Sequence, residues 1–387
     1  MQSKSLVGLI GCCVAMLLVP AFAGPDREQL LETLLGEHGP TIDAVLIGEL
    51  DPAAVPDWAD LTAALDAVTG QKDGWASGLL WHDDLDTALS VARARGKPVL
   101  SLRMLGRLDE DLSCANSRFF RTLLYPDPAV NTILRERFVL HWHSVRPAPR
   151  LTINYGDGRV IERTITGNSL HLVLDPTTGT VIEALPGLVD AQTFAGWLGM
   201  ADRLHGHMTT DGADAAAILV GHRTWSMLRP GAVPPPADEA DAGAAAMRLA
   251  VSKKIVERAA FAAVRFAPRA ADGSEGAPHS DAGETPPSVE PTIHPRVGGL
   301  IRVKEGGDTD AKLTRLRDSL RRDTAINVDR LRPRIVAYLA GAETEASAES
   351  LTTWVYAEVF RSPLDDPWSG LVETDAYTAL DRGGVRP

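Results

Sequence analysis

The succession of apolar patterns along this 387-residue chain predicts an α/β fold: a central mixed sheet flanked by helices, with a mainly helical C-terminal region. Two observations carry that reading. Between residues 80 and 200, amphipathic stretches of helical period alternate with short runs of strand character, which is the pattern of a sheet with helices on its faces. After residue 200 the strand runs stop and Leu and Ala recur at helical spacing instead. An apolar content of 44% is enough to build a core.

The N-terminus reads as an export signal. Met1 to Lys4 is a short segment with one positive charge, and LVGLIGCCVAMLLVPAF is an apolar run broken only by Pro20. Ala21-Phe22-Ala23 supplies the small residues that a signal peptidase needs for a cut before Gly24. Two alternatives are an uncleaved membrane anchor and a lipoprotein cut at LIGC ending in Cys12; the second would leave the apolar run only a few residues long. No later stretch reaches about 18 apolar residues. The expectation is a periplasmic or secreted protein with no stable membrane insertion once residues 1–23 are removed.

In the mature chain, residues 24–78 read as a helical leader. REQLLETLLGEHG is expected to stop at Gly36 or Gly39, and DWADLTAALDAVTG forms a second short helix. Asp83 or Asp84 caps DLDTALSVARAR, which ends at Gly96. VLSLRML is a strand, CANSRFFRTLL a helix, PAVNTILRER another helix opened by Pro128, and FVLHWHS a strand. RLTINYGDGRVIERTI is a hairpin turning at Gly156-Asp157-Gly158. SLHLVLD and TVIEAL pair across Thr178-Gly179, and DAQTFAGWLGMADRLHG closes the region as a helix. Residues 201–266 are expected to be helical, best in AAAMRLAVSKKIVERAAFAAVRF. Residues 267–295 read as a disordered linker with little to bury. Residues 296–387 form a C-terminal helical region containing DAKLTRLRDSLRRDT, VDRLRPRIVAYLAG and ESLTTWVYAEVF.

The 39 basic and 51 acidic residues give a formal charge of −12, which excludes general binding to phosphate backbones, so no nucleic-acid partner is expected. The chain holds three cysteines, Cys12, Cys13 and Cys114, too few for a disulfide scaffold or a four-cysteine metal site. Signal removal leaves Cys114 alone. It precedes an apolar helix, where unpaired amides and the helix dipole favour thiolate, while Asp109, Glu110 and Asp111 act in the opposite sense. Ser117 lies one turn on, within reach of the sulfur. The bland alternative is a buried, inert cysteine.

The ordered pattern W-x-x-x-L-x-x-A-L-x-x-A-x-x-x-G-K-P-V-L from Trp81 to Leu100, then C-x-x-S-R-F-F and D-P-A-V-N-x-x-L-x-x-x-F-V, resembles the thioredoxin-like superfamily over residues 79–200. The likeness is greatest to exported members with a longer leader helix. The resemblance implies a thioredoxin-like mixed sheet, with Cys114 in the place of the attacking cysteine and Ser117 in that of the resolving one. Asn168, followed by SLHLVLDPTTGT, stands where the family carries a cis-proline that contacts substrate backbone. A C-x-x-S motif lacks the second thiol of a dithiol cycle, so a mixed disulfide on Cys114 would need a partner thiol for release.

His141 and His143 alternate along one strand, and His171 lies on another. With Cys114 they are the weak candidates for a His/Cys metal set, against ordinary strand histidines. Arg146, Arg150, Arg159 and Arg163 cluster along the hairpin, more simply read as a solvated face. No G-x-x-x-x-G-K-[ST], H-E-x-x-H or G-x-S-x-G occurs, and no cofactor is expected. The sequence therefore points to an exported thioredoxin-like binding or scaffold protein without dithiol reductase activity, acting on a protein partner. The alternatives are a monothiol thiol-disulfide exchange protein using Cys114 on a substrate thiol, and a His/Cys metal-binding protein.

Overall fold

A run of seven residues with no exposed position needs cover on both faces, and β2 (Val99–Leu105) is such a strand. It is the centre of a five-stranded sheet in the order β1-β3-β2-β6-β7. The strands β1 (Trp81–His82) and β2 run parallel to β3 (Val139–Arg146); β6 (Ser169–Leu174) is antiparallel to both β2 and β7 (Val181–Pro186). This order and mixed polarity are compatible with a thioredoxin-like architecture. The computed structural model describes residues 24–165, 167–228, 293–305, 310–341 and 346–368. The expected signal segment 1–23, the helix expected within 244–266, almost all of the expected linker 267–295 and the tail beyond 368 lie outside the described residues.

Parallel pairing requires long crossovers. The first is α4 (Leu85–Arg95); the second is α5 (Ala115–Phe119, continued by a π-helical stretch Phe120–Leu124) followed by α6 (Pro128–Arg137). Each starts where its sequence allows. Asp84 Oδ1 accepts from Thr87 N at 2.8 Å, and Gly96 ends the helix at φ 62°. Asp127 caps α6, with Pro128 in the first turn. Asp190 caps α7 (Ala191–Met208) through Thr193 N at 2.9 Å. The hairpin β4 (Arg150–Asn154) and β5 (Val160–Thr164) stands apart as its own two-stranded sheet, inserted between β3 and β6.

The leader departs from its expected form. Its first helix, α1 (Gly24–Ile47), runs straight through Gly36, Gly39 and Pro40. Ile42, Val45 and Leu46 lie beyond those residues and enter the same apolar cluster as Leu31 and Leu34, so burial outweighs local helix breaking. That cluster is completed by α2 (Trp58–Thr69), the short α3 (Gly74–Ser77) and Leu300 of α9 (Pro295–Glu305), which opens the expected C-terminal helical region. A Cβ on Gly299 would fall on the carbonyl oxygen of Leu46, so only glycine permits this crossing.

Beyond α7, the helices other than α9 join the main core. α8 (Ala215–Leu228), α10 (Asp310–Ala325), α11 (Arg332–Gly341) and α12 (Ala348–Trp354) pack with the sheet, and Leu331, Ile335, Leu351, Val355, Tyr356 and Val359 are almost wholly buried. A π-helical stretch, Ile326–Leu331, joins α10 to α11 without the break expected between them; a second, Val355–Val359, extends α12. No helix among the described residues is long and apolar enough to cross a membrane.

One carboxylate fixes several of these helices to the sheet. Glu183 on β7 is 4% exposed and accepts from Arg332 Nη2 at 3.0 Å and from Trp197 Nε1 at 3.1 Å; His222 Nε2 lies 2.6 Å from its other oxygen. Burial would raise its pKa, but Arg332 and His222 more than offset that and hold it at about 2. A depressed carboxylate contributes stability that is present above the unfolded value near 4.5 and is lost as pH falls toward about 2. The shift corresponds to roughly 3 kcal/mol. Urea unfolding at neutral and acidic pH should show wild type losing stability across that window and Glu183→Gln losing clearly less; equal losses would exclude this role for Glu183.

Candidate functional site

Cys114 is the N-cap residue of α5, at φ −58° and ψ 155°, with no side-chain capping bond. It is a free thiol with 0% exposure, counted among the apolar residues of the main core. Its amide donates to Leu105 O at 3.1 Å, tying it to the end of β2. Ser117 is also fully buried, but its partners are oxygens and not the sulfur. Its hydroxyl donates to Cys114 O at 2.8 Å and sits 2.6 Å from Ser113 Oγ, which donates in return. A serine in the first helical turn finds a main-chain carbonyl more readily than a sulfur. Around this pair, Asn116 Nδ2 donates to Ser169 Oγ at 2.8 Å, and Thr164 Oγ1 donates to Ser113 O at 3.2 Å.

Asn168 is brought to the same neighbourhood from the start of β6. Its carbonyl oxygen accepts from the hydroxyl of Tyr356 at 3.1 Å. Tyr356 belongs to the π-helical extension of α12 and is 0% exposed. Burial pushes its hydroxyl well above the ordinary value, with the nearby Cys114 thiol adding to the effect; the same two causes act on Tyr125. Cys114 thus lies near two buried tyrosines, one of which also holds the Asn168 carbonyl.

The three strand histidines do not converge. His141 faces the side of the sheet that holds Ser101 and Arg103, since Ser101 pairs with His141 and Arg103 with His143. His171 is opposite Leu102 and therefore faces the other side. There its Nε2 lies 2.9 Å from Tyr125 Oη, between the rings of Phe120 and Phe194. Among the described residues no group of three His, Cys, Asp or Glu side chains is placed to hold a metal ion.

Sequence reasoning missed what faces His141 and His143. Arg103 is 2% exposed on the central strand, and its Nη1 meets Glu349 of α12 at 3.2 Å. His82 shares this face, next to His141, and Ser101 Oγ lies 2.8 Å from His141 Nδ1. The arginine within VLSLRML was the available signal: a charge inside a fully apolar strand run needs a buried partner. No family model, curated protein or solved structure matches this chain. What the site can do must follow from its own geometry.

That geometry does not gather the hairpin arginines either. Arg146 donates to Asp366 O at 2.9 Å, Arg150 pairs with Glu110 at 3.5 Å, and Arg159 pairs with Asp157 at 2.7 Å beside the ring of Tyr155.

Burial first, then Arg103 and the neighbouring His143 and His82, lower His141 to about 3; burial alone lowers His171 to about 3. Both rings are therefore neutral in the folded state. Their contribution to stability is complete above the unfolded value near 6.5 and is lost as pH falls toward about 3. In an NMR titration their ring resonances should stay constant from about pH 8 to about pH 5. An inflection near 6.5 from either ring would show that it is not enclosed in this way.

Proposed function

We propose that this is an exported thioredoxin-like protein that acts as a binding or scaffold module, without dithiol reductase activity. The observation that carries the reading is the complete burial of Cys114 within the main apolar core. A thiolate must reach a disulfide sulfur to exchange with it. Here the thiol is enclosed in apolar core and its neighbouring hydroxyl is committed to oxygen partners. With no second cysteine in the mature chain, the intramolecular step that releases a mixed disulfide has no nucleophile. The Asn168 carbonyl, in the position that contacts substrate backbone in the family, is taken by Tyr356.

The fold is therefore read as a frame for surfaces outside this centre. The monothiol alternative requires Cys114 to be accessible in the native chain. Alkylation separates the two readings. Native full-length protein at neutral pH should leave Cys114 unmodified, reaction should be rapid after unfolding in denaturant, and Cys114→Ser should fold and keep its partner contacts. Fast modification of the native protein, lost in Cys114→Ser, would favour exchange chemistry.

Export rests on the signal segment. Intact-mass analysis of protein recovered outside the cytoplasm should give a chain beginning at Gly24. Recovery of the uncut chain in the membrane fraction would replace this reading with an N-terminal anchor.

A further inference from the structure

The β4–β5 hairpin is the one sheet among the described residues whose strands pack chiefly on each other. Isolated two-stranded hairpins are marginal in water, and an open edge invites another strand. Leu151, Ile153 and Ile161 share one face of the hairpin and are only partly covered. Tyr155, 50% exposed, continues that face toward the turn.

The hydrogen-bond pattern shows which groups are available at each edge. Tyr155 N donates to Arg159 O at 3.1 Å and Ile165 N donates to Pro149 O at 3.2 Å. Odd-numbered residues of β4 therefore bond to β5, and the main-chain groups of Arg150, Thr152 and Asn154 point outward. The side chains of Thr152 and Asn154 are exposed as well.

We propose that β4 is a homodimerisation edge, pairing antiparallel with β4 of a second copy of this chain. Two identical antiparallel strands are related by a twofold axis normal to the sheet. Residues opposite one another then come from the same face, so even-numbered residues pair with even-numbered ones. The outward groups of β4 obey the same parity. A register centred on Ile153 sets Ile153 against itself, Leu151 against Tyr155 of the second copy, and Thr152 against Asn154 of the second copy. It adds about four main-chain hydrogen bonds and extends the apolar face across both hairpins.

Charge favours this edge over the other. The centred β4 register opposes no like charges and brings Arg150 beside Asp157 of the second copy. On β5, the corresponding registers place Glu162 against Glu162 or Arg163 against Arg163, and Thr164 is already buried against Ser113. A single strand edge buries less than a standard interface, so the dimer dissociates on dilution.

Sedimentation velocity of the full chain over a concentration series should show a reversible monomer–dimer equilibrium. Thr152→Pro removes an outward N–H that the hairpin does not use, and should weaken association by about tenfold or more. Val160→Pro makes the equivalent change on the β5 edge and should leave association unchanged. Ile153→Cys, on the twofold axis, should form a covalent dimer under mild oxidation, whereas Val160→Cys should not. A wild-type chain that stays monomeric at the highest concentration reached overturns the proposal. So does a dimer that Thr152→Pro leaves intact. Should Thr152→Pro fail to fold, absence of the Ile153→Cys cross-link in folded protein is equally decisive.

Discussion

Glu183 lies on β7, the last strand in the sheet order, where a carboxylate would ordinarily be solvated, yet almost none of it is exposed. Desolvating a carboxylate costs several kcal/mol unless charged and hydrogen-bonding partners offset it. The three partners come from three places: Trp197 on α7, His222 on α8, and Arg332 at the start of α11. Arg223 extends the same joint, donating to Val181 O on β7 and to Leu339 O on α11, both at 3.0 Å. Asn327 Nδ2 adds a bond to Leu188 O at 2.7 Å. Helices far apart in sequence are thereby fixed to one sheet edge. Each bond is directional, so the joint specifies position in a way that apolar contact alone does not.

The centre of the sheet obeys a related constraint. β2 is enclosed on both faces, and Ser101 and Arg103 must find partners inside the fold. Ser101 finds His141; Arg103 finds Glu349, whose carboxylate reaches in from a largely exposed position. α12 is thus held by an ion pair at its start, by the Tyr356–Asn168 bond further along, and by apolar burial between them. Cys114 belongs to the same buried apolar cluster as Leu351, Val355 and Tyr356.

Much of the sheet was legible because its signals are local. Asp84, Gly96, Asp127-Pro128 and Asp190 mark helix ends through caps that depend on a few neighbouring residues, and alternating apolar runs mark the strands. Failures occurred where distant burial overruled local preference. Gly36 and Gly39 predict an early stop for α1, but its cluster partner Leu300 lies some 250 residues further along the chain and gives no local sign. The site divides in the same way. The placement of Cys114 before a helix could be read from its flanks, whereas its enclosure depends on a core assembled from distant segments, and the separation of His171 from His141 depends on register. Neither relation has a signature in a single stretch of sequence.

The treatment of strand edges links the frame to the surface it presents. The β1 edge is met by Arg27, whose guanidinium donates to Trp81 O at 3.1 Å and to Val68 O, so the leader both packs on the sheet and occupies its boundary. The opposite boundary, at β7, lies under α7, α8 and α11 through the Glu183 joint. Open edges are an aggregation hazard, and two quite different helical additions cover those of the main sheet. The hairpin departs from that pattern. Among the described residues no helix covers its outer β4 groups, and no proline interrupts the strand; Pro147 and Pro149 stop just short of it. An edge left open where the others are closed is the place at which this fold can offer main-chain hydrogen bonds to another chain.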